Sequence, residues 1–185
     1  MKNIVLLTLT LICLGGRMES LAQTESNKIL IAYFTWSGNS KKIAEQISKE
    51  INSDVFEIVS EKGYPEEYIA CTEQAKTELQ NQERPKLKTN LEDISKYKTV
   101  ILVYPNWWNT IPMPVATFLE SHNFADKTLI PICTHLGSRF GTSINDVKRL
   151  APKAKIGEGF HIRGLEDESS FSKKVSDLLK NNKLK

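Results

Sequence analysis

Three short runs of the chain are apolar almost without interruption: residues 29–34 (ILIAYF), 99–104 (TVILVY) and 128–133 (TLIPIC). A strand with one wet face alternates apolar and polar side chains, so runs this uniform belong to strands covered on both faces. Such strands build parallel sheets, with crossover helices on either side. The intervening segments agree. Residues 40–50 begin a stripe of Ile43, Ala44, Ile47 and Ile51, the recurrence of one buried helix face. Residues 54–59 (DVFEIV) alternate and predict a second strand with an exposed face. Residues 64–82 predict a helix with Pro65 in its first turn and Glu66 and Glu67 at the positive end of its dipole. A polar loop at 81–90 follows. Helices are predicted over 115–121 and 142–150, a weaker fifth strand over 155–160, and a closing amphipathic helix over 168–181. The expectation is an α/β domain with five strands, spanning 28–182. At 185 residues, 40% of them hydrophobic, the chain suits one compact domain.

In sheets of this kind ligands bind beyond the carboxyl ends of the strands. The turns after the three apolar strands are TWSGNS (35–40), PNWWNT (105–110) and THLGSRFG (134–141). The first supplies hydroxyls from Thr35, Ser37 and Ser40, with Asn39 or Ser40 available to cap the helix. Gly38 lets the chain bend and its amide approach a ligand. A helix start leaves N–H groups unpaired and favours an anion, so this turn can cradle a phosphate without a lysine. Lys41 and Lys42 read as solvated surface cations. Dinucleotide and P-loop glycine patterns are absent. So are the acidic pair of a phospho-acceptor and the Cys/Arg set of a phosphatase. In the second turn, Trp107 and Trp108 are adjacent. On an extended segment they point opposite ways, which leaves at least one to offer a flat apolar face to a planar ring. In the third, His135 either faces a ligand or caps a turn. No nucleophile pairs with it, so hydrolysis is not favoured.

Taken in order, YFTWSGNSKKIAEQI, YPNWWNTIPMPVATFLE and PICTHLGSRFG resemble the three flavin-contacting segments of flavodoxins, closest to flavodoxin-like proteins with a Y-P-N-W-W motif. The resemblance spans roughly residues 28–180. It implies a flavodoxin-like three-layer sandwich with a five-stranded parallel sheet in order 2-1-3-4-5, and one non-covalent FMN. Thr35, Ser37, Asn39 and Ser40, with the amides of Trp36 and Gly38, would hold the phosphate. Pro105, Asn106, Trp107, Trp108, Asn109 and Thr110 would flank the isoalloxazine, and Thr134, His135, Gly137 and Ser138 would close its other edge. Arg139 would either stand near the flavin or point to water. The implied activity is electron transfer to a redox partner protein or a small-molecule acceptor. Alternatives are a reductase of quinone-like compounds and a binding module without redox turnover.

Residues 1–22 have a layout of their own: Lys2, an apolar run over 4–14, and small residues at Ser20 and Ala22. This is the pattern of a secretory signal peptide, the apolar run being short for a membrane span, with an uncleaved membrane anchor as the alternative. It predicts a mature start near Gln23, a linker over 23–27, and a periplasmic or secreted protein. Cys71 and Cys133 then remain, read as two separate thiols. The histidines are scattered, so a metal site is not expected. With 25 basic and 22 acidic residues interspersed, no patch for nucleic acid is expected.

Overall fold

The computed structural model describes residues 28–164 and 168–184, so the expected signal peptide and linker lie outside the described residues. Strands β1 (Lys28–Tyr33), β2 (Asp54–Glu57), β3 (Tyr97–Pro105), β4 (Thr128–His135), β5 (Lys155–Ile156) and β6 (Phe160–Arg163) form one sheet. All its pairings are parallel, in order β2-β1-β3-β4-β5, with β6 also on β4. The expected order 2-1-3-4-5 is the order found.

Helices α1 (Asn39–Glu50), α2 (Tyr68–Gln80), α3 (Met113–Ser121), α4 (Ser143–Leu150) and α5 (Glu168–Asn181) surround it. Alternation within the strands divides the core into two layers. Ile31, Tyr33, Ile101, Val103, Ile130 and Ile132 pack with α1 and α5. Leu30, Ala32, Val100, Leu102 and Leu129 pack with α3 and α4. Ile43 and Ile47 of α1 are buried, and each such side chain contributes roughly 1.5–3 kcal/mol.

Three expectations shift. The fifth strand is two short pieces, interrupted opposite Pro131. The Gly157 N–H donates to the Leu129 carbonyl, so Pro131, two residues on, turns the same edge outward with no N–H for a ladder. β2 stops at Glu57, and Ile58 turns into the core. α2 starts at Tyr68, because the Glu67 carboxylate accepts from the amides of Ile69 and Ala70 and fixes the helix start there.

β1 has β2 on one side and β3 on the other. The strand order reverses between β1 and β3, and the ligand-bearing crevice of such a sheet opens at that point.

Candidate functional site

A cleft of about 830 Å³ opens at the carboxyl ends of β1, β3 and β4. The first loop lines it with Trp36, Ser37 and Asn39, the second with Pro105, Asn106, Trp107, Trp108 and Asn109, and the third with Thr134, His135, Gly137 and Ser138. Thr35, Gly38, Ser40 and Thr110 are not among its lining residues. Thr35 Oγ1 accepts from the Gly38 amide at 3.0 Å and shapes the turn. Ser40 is buried, its hydroxyl 3.4 Å from that of Thr134, tying α1 to β4.

Neither Asn39 nor Ser40 caps α1. The cap position is Gly38, at φ 85°, and among the described residues no side chain caps the first turn. No acidic residue lies in that turn either. The helix therefore meets the cleft with its first amides uncapped by any side chain and its dipole uncompensated by a carboxylate, the arrangement an anion completes. Lys41 and Lys42 are exposed.

The tryptophan segment is a tight turn rather than an extended stretch. Trp107 and Thr110 exchange backbone hydrogen bonds, both 3.0 Å, and the two residues between them have positive φ, 49° at Trp108 and 69° at Asn109. Trp107 turns inward, edge-on to Phe34 at 5.2 Å and to Tyr64 at 4.9 Å. Trp108 stays 48% exposed, its Nε1 donating to the Thr72 carbonyl at 2.9 Å.

The start of α4 holds this turn. The Thr142 amide and hydroxyl both donate to the Asn109 carbonyl, at 2.7 and 3.0 Å. Thr110 Oγ1 donates to Asp146 at 2.5 Å. Burial opposes ionisation of Asp146, but hydrogen bonds from Thr110 and Arg149 outweigh it and hold its pKa below the usual value. Gly141, at φ 54°, passes so close to Asn109 that a Cβ would collide with its carbonyl.

His135 is buried in the cleft wall with Nε2 3.0 Å from His161 Nδ1. Arg139 is exposed, and its carbonyl accepts from the Asn106 side chain at 3.0 Å. Cys71 and Cys133 are separate buried thiols. Burial pushes Cys133 up to about 12, and burial, with Glu78, also raises Cys71. Neither is a thiolate near neutral pH, so neither is poised as a nucleophile. Among the described residues no cluster suits a metal ion, and no helix is long and apolar enough to cross a membrane.

Five lining residues lie outside the three predicted loops: Tyr68, Cys71, Thr72 and Ala75 of α2, with Gly164. The 68/71/72/75 spacing was readable as a helical stripe, but periodicity does not distinguish a stripe facing core from one facing a cleft.

Doubly wound parallel sheets carry their small-molecule sites in such a crevice at the switch point, and this chain has an aromatic cleft and an uncapped helix start there. The sequence profile of the flavodoxin family matches residues 28–178, and the chain belongs to that family. No curated protein matches it. Among solved structures it is similar to a candidate flavoprotein of Bacteroides eggerthii, at 28% identity and TM-score 0.71, covering 82% of this chain and 97% of that one. A candidate flavoprotein of Bacteroides uniformis is 26% identical with TM-score 0.71, covering 84% and 99%. A flavoprotein of Lactobacillus acidophilus, solved in complex with FMN, shares the fold at 24% identity and TM-score 0.63, covering 80% and 98%.

Proposed function

We propose that the protein binds one FMN non-covalently in this cleft and acts, after export, as a flavodoxin-like redox protein. The observation that carries the reading is the α1 start, uncapped by any side chain and flanked by Ser37 and Asn39 at the edge of an aromatic cleft. The phosphate completes the helix terminus, and neutral donors orient it. The ring lies between the 105–109 and 134–138 segments. Trp108, at the cleft wall, offers a face for stacking. The FMN complex of the Lactobacillus acidophilus relative supports the choice of flavin.

When bound, the cofactor supplies electron transfer, and the chain supplies position and surroundings. That division fits cysteines held as thiols. Reconstitution tests it. The apo-protein mixed with FMN should turn yellow with a perturbed visible spectrum, and the photoreduced holoprotein should be reoxidised by an added acceptor such as cytochrome c. A protein that takes up FMN but exchanges no electrons would be the binding module without turnover.

A further inference from the structure

The buried stripe of α2 carries a charge at a core position. Its buried residues are Cys71, Ala75 and Glu78, and Glu78 is only 6% exposed. The Glu78 carboxylate accepts from the Tyr64 hydroxyl at 2.5 Å and from Gln74 Nε2 at 2.9 Å. Both donors are neutral. An ionised carboxylate has about four acceptor sites, so acceptor capacity is left over. Burial and the bond to Glu78 push the Tyr64 phenol well above its usual value, and the charge of Glu83 adds to the rise, so Tyr64 stays a donor.

Glu78 lines a cavity of about 720 Å³ that shares no lining residue with the aromatic cleft. Ser60 lines it too. This residue is 5% exposed, and its buried Oγ has no hydrogen-bond partner. Hydrogen bonds tie the Ser60 turn to Glu78. The Gly63 amide donates to the Ser60 carbonyl at 3.2 Å, and Gln74 Nε2 donates to the Gly63 carbonyl as well as to Glu78. A buried hydroxyl left unpaired destabilises a fold, and a ligand that bonds it removes that cost.

Charge narrows what fits. Arg84 is paired with Glu120, outside the cavity, at 2.6 and 2.9 Å, and Lys86 is paired with Glu61. Lys62 is exposed and in no ion pair. Among the described residues neither Glu78 nor Glu83 is paired with a Lys or Arg, and the Glu83 side chain accepts from the Asn81 amide at 3.0 Å. We infer that this cavity is a second binding site, for a small organic cation bearing a primary ammonium group. Such a group has three N–H donors and no acceptor, and Glu78, Glu83 and Ser60 supply acceptors, two of them charged. A quaternary ammonium brings the charge without the donors. An anion would meet both carboxylates with no gain. The inference does not depend on the FMN reading.

Amide NMR titrations of the purified chain, with FMN present, test it with two probes of equal charge. n-Butylammonium has three N–H donors and n-butyltrimethylammonium has none. The first should give saturable shifts at residues 60–63, 74–78 and 83, and bind about ten-fold or more tightly than the second, through charge-assisted hydrogen bonds. Ser60→Ala should weaken it about three-fold or more and leave thermal stability equal or higher, since an unpaired buried hydroxyl is removed. Glu78→Gln keeps an acceptor for Tyr64 without the charge and should weaken it about ten-fold or more. Lys62→Met removes a competing ammonium and should leave the affinity equal or higher.

No saturable shift, equal affinity for the two ions, or shifts confined to the aromatic cleft overturns the inference. So does undiminished binding in Ser60→Ala or in a folded Glu78→Gln protein, or weaker binding in Lys62→Met.

Discussion

Trp108 holds a left-handed backbone conformation, which for a non-glycine residue costs on the order of 1 kcal/mol. Its indole bond to Thr72 and Lys76 over its ring at 5.1 Å help offset that strain. Trp107, one residue earlier, is locked against Phe34 and Tyr64. The two should therefore respond differently to truncation. Trp107→Ala should cost about 2–3 kcal/mol of stability, as a half-buried aromatic. Trp108→Ala should cost less than about 1 kcal/mol but restore flavin emission in the holoprotein, because the half-exposed indole keeps a ring face at the cleft wall. Urea denaturation and flavin fluorescence separate the cases, and the reverse pattern would exchange the two roles. The tryptophan pair was legible in the sequence, but its division of labour was not. That division depends on a turn whose hydrogen-bond partners, Thr142 and Asp146, lie far along the chain. Gly141→Ala probes the same contact from the other side. A Cβ driven into the Asn109 carbonyl at positive φ should destabilise the fold by about 1–3 kcal/mol, read by thermal unfolding, and loosen the turn.

At the scale of elements, the buried strands β1, β3 and β4 were readable because a parallel sheet covered on both faces writes itself as uniform apolarity. The edges were less so. β5 and β6 separate at a proline in the neighbouring strand, and α2 begins where a glutamate caps it, both set by partners rather than by local periodicity. α4 is the element that fixes the ligand turn, through Asp146. Its pKa is lower in the folded chain than in the unfolded one. The stabilisation it gives is therefore present above the unfolded value, near pH 4, and is lost as pH falls through the lower folded value. Stability should decline with acid over that window, and Asp146→Asn should flatten this part of the profile. Urea unfolding at a series of acidic pH values in the two proteins checks it. Parallel profiles would remove Asp146 from the account.

For the whole molecule, the fold and the position of the cleft followed from strand order and the three loops. The α2 wall did not, because only the tertiary arrangement turns that stripe toward the cleft. Export, proposed from the layout of residues 1–22, gives a direct expectation: protein recovered from the producing cell should begin near Gln23 by mass spectrometry. Full-length chain in the cytosol would contradict it. On the FMN proposal, the α1 start and its neutral loop hold a phosphate at the edge of an aromatic cleft. Titration of the apo-protein with FMN and with riboflavin, followed by flavin fluorescence, tests it most directly, since the two ligands share the ring and differ by the phosphate. FMN should bind about 2–3 kcal/mol more tightly, the worth of hydrogen bonds to a charged group, and Ser37→Ala should narrow that gap. Equal affinity for the two flavins would mean that the α1 start holds no phosphate.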